Sequence, residues 1–273
     1  MTAERTALVA AALRTGLVGP GHFWRRLDVV DETRSTNDDL VATADPAAAV
    51  LLAEHQTAGR GRIGRSWEGV PRAQILMSVG VPTTGVPASQ WSWLPLLAGV
   101  AIVDALAEVT GLQAGLKWPN DVLVNGQKLA GILADVAAAS ETVVVGLGLN
   151  VSLGADELPV PDATSLTLLG ESGDRTALVR GVLAQLARRL TAWQRAGGAD
   201  HGLIEDYRAR NVTVGQRVRA LLPGDRELTG LARAIDDGGR LVIDPDSGSD
   251  AESVALSAGD VVHLRPCDNA ESE

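Results

Sequence analysis

Lys117-Trp118-Pro119-Asn120-Asp121-Val122-Leu123-Val124-Asn125-Gly126-Gln127-Lys128-Leu129-Ala130-Gly131-Ile132-Leu133 reads as a β-hairpin. Two apolar runs flank Asn125-Gly126, and Asn-Gly is the strongest short-range signal for a type I′ turn, which needs φ > 0 at both central residues. A two-residue turn pairs Val124 with Gln127, Leu123 with Lys128 and Asp121 with Ala130. Because side chains alternate faces, Lys128 and Asp121 project from one face as diagonal neighbours, on the order of 7–8 Å apart, with room between them for a metal ion and a phosphate. An edge strand carrying one exposed lysine and an N-terminal aspartate explains the same residues without a ligand. The functional reading gains because Lys117, Asn120, Asp121 and Lys128 fall within twelve residues.

Upstream, Gln56-Thr57-Ala58-Gly59-Arg60-Gly61-Arg62-Ile63-Gly64-Arg65-Ser66-Trp67 interleaves arginines with glycines and has no acidic residue. Glycines let backbone N–H groups approach a ligand, and guanidinium groups fork onto carboxylate or phosphate oxygens. The segment reads as an anion-binding loop, with a flexible solvated loop and a nucleic-acid-binding segment as competing readings. Apolar Val50–Ala53 delivers the chain into it as a strand, and Gln74–Val81 leaves it as another. Before these, Thr2–Leu17 suggests a helical lead-in, Phe23–Val30 a strand, and Ser35-Thr36-Asn37-Asp38-Asp39 a helix start. Ser35/Asp38 and Thr36/Asp39 both have capping-box-like spacing. The cap needs no ligand, although a helix N-terminus also suits one.

Trp91–Val109 is apolar on nearly all sides, which predicts a deeply buried helix ending at Gly111. Glu141–Val151 predicts a buried strand whose Gly146 and Gly148 leave room for something to lie against it. Leu153–Leu166 reads as a loop, and Asp174–Trp193 and Gly202–Arg210 as helices. From Val212 the texture changes. Short runs at Val212–Val214, Gln216–Leu222, Leu228–Ile235, Leu241–Ile243 and Val261–Leu264 alternate with turn residues, the pattern of a small β-barrel. Residues 1–211 are expected to form the catalytic domain, 212–266 a C-terminal barrel and 267–273 an acidic tail, read as disordered.

The chain carries 24 basic and 34 acidic side chains, a net charge of −10, which argues against broad nucleic-acid binding. Its single cysteine, Cys267, excludes an intrachain disulfide. The four histidines share no metal-ligand spacing. The start of the chain has no secretory h-region, and the longest apolar stretch, Leu94–Val103, is too short to span a bilayer. A cytoplasmic protein without membrane association is expected.

Five blocks in order, Ser35-Thr36-Asn37, Gln56 with Gly59–Trp67, Lys117–Asp121, Lys128–Leu133 and Gly146-Leu147-Gly148-Leu149-Asn150, resemble biotin protein ligase. The resemblance covers roughly Phe23–Arg210 and reaches the C-terminal barrel through Gly215, Gly230 and Gly259-Asp260-Val261-Val262. It implies an α+β fold: a mixed β-sheet flanked by helices, class II tRNA synthetase-like and of the biotin/lipoate ligase type, followed by an SH3-like barrel. It also implies a biotin–[biotin carboxyl-carrier protein] ligase that converts biotin and ATP to biotinyl-5′-adenylate and pyrophosphate. The biotinyl group then passes to one lysine of a carboxylase's biotin carboxyl carrier domain.

By the same resemblance, Ser35, Thr36, Asn37, Gln56, Gly59, Arg60, Gly61, Arg62, Lys128 and Gly131 bind biotin, the first four through the ureido ring. Arg65, Trp67, Asn120, Lys128 and Asn150 bind ATP or the adenylate, with Trp67 over the adenine. Lys128, Arg62 and Arg65 are the catalytic candidates, and Asp121, assisted by Asn120, is the candidate ligand for Mg²⁺, a hard cation suited to oxygen donors. The Gly/Arg loop is expected to be disordered when empty and ordered over biotinyl-adenylate. A lipoate ligase has the same expected fold and chemistry, but the Gly-Arg-Gly-Arg and Lys-Trp-Pro-Asn-Asp blocks favour biotin. A biotin-responsive repressor would need a winged helix, and about 22 residues precede the first strand, so no specific DNA binding is expected. A ligand-storage protein would not need Asp121 and Lys128. A monomer or weak homodimer is expected.

Overall fold

The computed structural model describes residues 5–62, 64–137, 141–171, 173–222, 226–246, 252–257 and 263–266. In chain order the first part comprises α1 (Ala10–Arg14), β1 (Arg26–Thr33), α2 (Thr36–Ala42), β2 (Ala49–Gln56), β3 (Gln74–Pro82), α3 (Trp93–Thr110), β4 (Gly115–Lys117), β5 (Asp121–Val124), β6 (Gln127–Ala137), β7 (Thr142–Asn150), α4 (Arg175–Arg195) and α5 (His201–Arg210). The second comprises β8 (Arg217–Leu222), β9 (Arg226–Ile235), β10 (Leu241–Pro245), β11 (Val254–Leu256) and β12 (His263–Pro266).

The first seven strands form one sheet in the order β1-β2-β3-β7-β6-β5-β4. Only β1 and β2 run parallel; the other pairs are antiparallel. Strand periodicity sorts side chains between two faces. Ile75, Met77, Val79 and Val81 of β3 and Val143, Val145, Leu147 and Leu149 of β7 enter the main core with α3 and α4. On the opposite face, Ser78 of β3 meets α2, and Val144 of β7 packs with Leu40 of α2. Cover on both faces is why β3 and β7 read as continuous apolar runs rather than alternating ones. Helix α3 is buried along almost its whole length and ends on Gly111 at φ +77°, as its sequence predicts.

The hairpin contains a β-bulge that the sequence did not announce. Val124 pairs with Gln127 and Leu123 with Lys128, but the register then shifts, and Val122 pairs with Ala130 and Asp121 with Gly131. A bulge places an extra residue on one strand and reverses the facing of everything beyond it. Leu129, Ala130 and Ile132 enter the core, so Lys128 and Gly131 both remain on the α2 face. Regular alternation would have separated them.

The remaining strands form a five-stranded antiparallel sheet, β11-β10-β9-β8-β12, consistent with an SH3-like unit. Its β9–β10 turn docks on the first part: Trp93 Nε1 donates to Asp237 O and Trp118 Nε1 to Gly239 O, each at 2.9 Å. Trp118, next to Lys117 on one side and Pro119-Asn120 on the other, is thereby fixed from behind.

Two expectations fail locally. Among the described residues of the lead-in only Ala10–Arg14 is α-helical, because residues just before it are drawn into tertiary contacts: Arg175 donates to Thr6 O, and Leu8 N donates to Glu54. Val212–Val214 is not a strand, because Asn211 Oδ1 accepts from both Thr213 N and Val214 N at 2.9 Å, a side-chain turn that competes with ladder pairing. Strand β11 was not anticipated. The acidic tail, 267–273, lies outside the described residues, as do Val261 and Val262.

Candidate functional site

On the α2 face lies a cleft of about 760 Å³, bounded by the start of α2, the Gly/Arg loop, the β4–β5–β6 hairpin and residues 159–163. At one end the groups are neutral. Ser35 caps α2, its hydroxyl accepting from Asp38 N at 3.4 Å, as the capping spacing predicts. Thr36 N and Oγ1 donate to Gln56 Oε1 at 2.7 and 2.9 Å, which orients the Gln56 NH₂ toward Gly59; a Cβ on Gly59 would lie 2.7 Å from Nε2. Asn37 donates to Asp135 Oδ2 at 2.8 Å, and its Oδ1 lies 2.6 Å from Ser78 Oγ. Ser35, Thr36, Asn37 and Ser78 are all buried.

The centre is covered by Trp67. Its ring lies across Gly131 and Gly148, which pair with each other on β6 and β7; a Cβ on Gly148 would fall 2.3 Å from the ring. The space that Gly148 leaves is thus filled by the indole, and the space at Gly146 by Asn37, whose Oδ1 would be 2.1 Å from a Cβ there. Lys128 Nζ stands 5.5 Å from the Trp67 ring centroid, within cation–π range.

At the charged end, Lys128 Nζ is 2.7 Å from Asp121 Oδ1. The open gap expected between them is therefore closed by a direct ion pair, because long side chains converge across the bulge. Asp121 Oδ1 is buried and lacks a partner with hydrogen-bond geometry, so charge proximity alone compensates it. The Lys128 backbone is held by a segment distant in sequence: Lys128 N donates to Asp162 O at 2.7 Å and Lys128 O accepts from Thr164 N at 2.9 Å. Burial pulls the Arg62 guanidinium below its ordinary value, against the opposing field of Asp121. The group stays protonated, since arginine does not lose its proton in proteins.

The Gly/Arg loop folds back on itself. Trp67 N donates to Gly59 O at 2.8 Å and Gly61 N to Arg65 O at 2.6 Å. Arg60, Arg62 and Arg65 all line the cleft, but Arg60 is also committed to carboxylates. Its Nη2 lies 2.7 Å from both Asp38 Oδ1 and Asp135 Oδ2, tying the loop to α2 and β6. Asn120 and Asn150 line the cleft as well. Asn120 Nδ2 donates to Ile132 O at 3.1 Å. Buried Asn150 accepts from Gln74 and donates to Thr164 O, each at 2.9 Å, so its amide braces the 164 segment.

The sequence reading did not single out Ser78, Asp135 or the 159–164 segment. The first two left signals, a lone hydroxyl in the apolar run Ile75–Val81 and a carboxylate inside strand β6. The third left none, since its contacts are made by backbone.

A carboxylate and a phosphate repel, and a site that unites them must present desolvated cations where the charges meet. Lys128 and Arg62 are half-buried cations in this cleft, next to a neutral pocket that can hold the rest of an acid substrate. Fold and cleft together define a ligase that activates a carboxylic acid with a nucleotide.

The comparisons narrow that class. Residues 27–151 match the biotin/lipoate A/B protein ligase family and 213–264 the biotin protein ligase C-terminal domain. A biotin–[acetyl-CoA-carboxylase] ligase of Mycobacterium tuberculosis is 49% identical over 269 residues, covering 96% of this chain and 97% of that protein. A bifunctional ligase/repressor BirA of Bacillus spizizenii is 32% identical over 243 residues, 86% of this chain and 73% of that one. The structure of a biotin protein ligase from Aquifex aeolicus in complex with biotin and ATP superposes with a TM-score of 0.75 at 25% identity, covering 89% of this chain and all of that one. The chain belongs to the biotin protein ligase family, enzymes that join biotin to protein.

Proposed function

We propose that this chain activates biotin with ATP to biotinyl-5′-adenylate and passes the biotinyl group to a lysine of a biotin carboxyl carrier domain of a carboxylase. The observation that carries the reading is the juxtaposition, in one cleft, of the neutral Thr36–Asn37–Gln56 pocket with Lys128 of β6 and half-buried Arg62 of the loop. Biotin's ureido head is uncharged and rich in hydrogen-bonding groups, which suits Ser35, Thr36, Asn37 and Gln56. Its carboxylate then reaches Lys128, where the α-phosphate of ATP meets it. Arg62 and Arg65 carry the additional charge of the transition state. Gly59, Arg60, Gly61 and Gly131 shape the biotin side, and Trp67, Asn120 and Asn150 the nucleotide side.

Among the described residues no group of three or more His, Cys, Asp or Glu could hold a metal by itself. Asp121 still suits Mg²⁺, which is commonly bound by one or two carboxylates together with substrate phosphates, and its buried Oδ1 lacks a directed donor. Mg²⁺ held there would neutralise phosphate charge. In the second step the acceptor amine attacks an activated carbonyl, so no nucleophile from the enzyme is required. A flap closed over the mixed anhydride excludes water.

The long apolar segment Ala88–Thr110 is mostly buried against the sheet and α4, and we place the protein in the cytoplasm as a monomer or weak homodimer without specific DNA binding. Incubation with labelled biotin, ATP, Mg²⁺ and a carrier domain is expected to release pyrophosphate and label one lysine. Preferential incorporation of lipoate, or no incorporation, would overturn the reading. A sequence-specific gel shift would overturn the statement on DNA.

A further inference from the structure

Ser78 is fully buried on β3, beneath Thr36 and Asn37. Among the described residues its hydroxyl makes two hydrogen-bonding contacts, with Thr36 Oγ1 at 2.7 Å and Asn37 Oδ1 at 2.6 Å. Thr36 Oγ1 in turn lies 2.9 Å from Gln56 Oε1. Four oxygens therefore stand in a row: Asn37 Oδ1, Ser78 Oγ, Thr36 Oγ1 and Gln56 Oε1. Gly146, paired with Ser78 across β3 and β7, leaves the room that lets the Asn37 amide come down to this row.

The other partners of the two amides fix which way each is turned. Asn37 Nδ2 donates to Leu133 O at 3.3 Å and to Asp135 Oδ2 at 2.8 Å, and Gln56 Oε1 accepts from Thr36 N at 2.7 Å. Turning either amide over would set oxygen against oxygen or N–H against N–H. Both ends of the row are thus carbonyl oxygens, which accept and cannot donate. The two hydroxyls between them carry one proton each, so three oxygen–oxygen contacts share two protons. With Thr36 donating to Gln56, one of the contacts at Ser78 has none. Away from water such a contact is unfavourable, because an acceptor without a donor keeps its desolvation cost.

A ligand N–H resolves the shortage. When it bonds to Gln56 Oε1 and Thr36 Oγ1 together, the Thr36 proton is free to turn to Ser78 Oγ, Ser78 donates to Asn37 Oδ1, and every contact has its proton. Thr36 and Gln56 both line the cleft, which is the side from which the N–H arrives. We propose that Ser78 is a positioning residue for the biotin ring: by taking the Thr36 proton it makes Thr36 Oγ1 and Gln56 Oε1 a paired acceptor that selects a ring N–H over an isosteric oxygen. This rests on the reading given under Proposed function.

The test measures biotin binding by titration calorimetry without ATP, together with binding of the two cyclic carbamates in which one or the other ring N–H of biotin is replaced by oxygen. Wild-type protein is expected to bind one of these carbamates at least about 100-fold more weakly than biotin, since its ring oxygen would face the paired acceptor. In Ser78→Ala the Thr36 hydroxyl has no inner acceptor and can donate to Gln56 or to that ring oxygen. Biotin should then bind about tenfold more weakly, and the penalty against the same carbamate should shrink to about tenfold or less. Ser78→Thr, which keeps the hydroxyl, should keep the wild-type ratio. A merely structural role for Ser78 would weaken all three ligands equally, and an unchanged ratio in Ser78→Ala would overturn the assignment. So would wild-type protein that binds biotin and both carbamates within about threefold of one another. Wild-type protein that fails to bind biotin would defeat the underlying reading instead.

Discussion

Gly148→Ala isolates the contribution of Trp67. An added Cβ would sit 2.3 Å from Trp67 Cε2 and 2.5 Å from both Cζ2 and Nε1. Carbon atoms are comfortable at about 3.5 Å, so something must move by about 1.2 Å. Gly148 cannot: it lies on a central strand, paired to Leu76 on β3 and Gly131 on β6. Trp67 stands on the loop and can. The indole should lift, separating from Lys128 and opening the flap. Overpacking of this kind costs about 1–3 kcal/mol, which corresponds to about 5- to 150-fold. We expect that loss in kcat/KM for ATP, measured by pyrophosphate release, with a fall in Tm of about 4 °C or less because the loop absorbs the strain. Trp67→Ala removes the obstacle, so the double variant should be no worse than Trp67→Ala alone. Additive losses, or wild-type kinetics in Gly148→Ala, would refute the reasoning.

Lys128→Ala should lower adenylate formation by at least about 100-fold while circular dichroism and Tm show an intact fold; normal pyrophosphate release would remove Lys128 from the mechanism. Asp135→Asn keeps an acceptor for Asn37 but removes one of the two charges holding Arg60, and since Arg60 is about half exposed, leakage of bound biotinyl-adenylate should quicken only about threefold to fivefold. In a quench-release assay, an unchanged rate would show that the Arg60 clamp is dispensable. Amide exchange across residues 59–67 should slow when biotinyl-adenylate binds, and equal exchange in both states would argue against a mobile flap. The Arg5 hydrogen bond, followed by that from Gly154 N, holds the Glu157 carboxyl below its ordinary 4.5. A lowered carboxyl pKa stabilises the fold above the unfolded-state value and loses that contribution as pH falls through the folded-state value. The Tm gap between wild type and Glu157→Gln should therefore be full at neutral pH and shrink below about pH 4.5; a gap that widens in acid would contradict the pairing.

Local chemistry made much of this protein legible in its sequence. The Asn125-Gly126 turn, the Ser35 cap, the buried runs of β3 and β7 and the all-round apolar α3 follow from φ preferences, capping and periodicity, which act within a few residues. The ordered blocks located most of the cleft lining as well, from Ser35 to Asn150.

Tertiary structure decided what depends on partners distant in sequence. Residues 5–9 are not helical, and Leu8 N and Thr6 O are engaged by Glu54 and Arg175 where local propensity favours a helix. Asn150 closes its strand by binding Gln74 and Thr164. Above all, one extra residue in β6 keeps Lys128 and Gly131 on the same face, and the 162–164 backbone fixes Lys128 from the side. A bulge is set by how a strand must pair and pack with its neighbours, not by the preferences of its own residues. The sequence alone therefore named most of the residues that meet in the cleft, whereas the fold brought in Ser78, Asp135 and the 162–164 backbone and decided how the groups face one another, with Lys128 against Asp121 and Trp67 against Gly131 and Gly148.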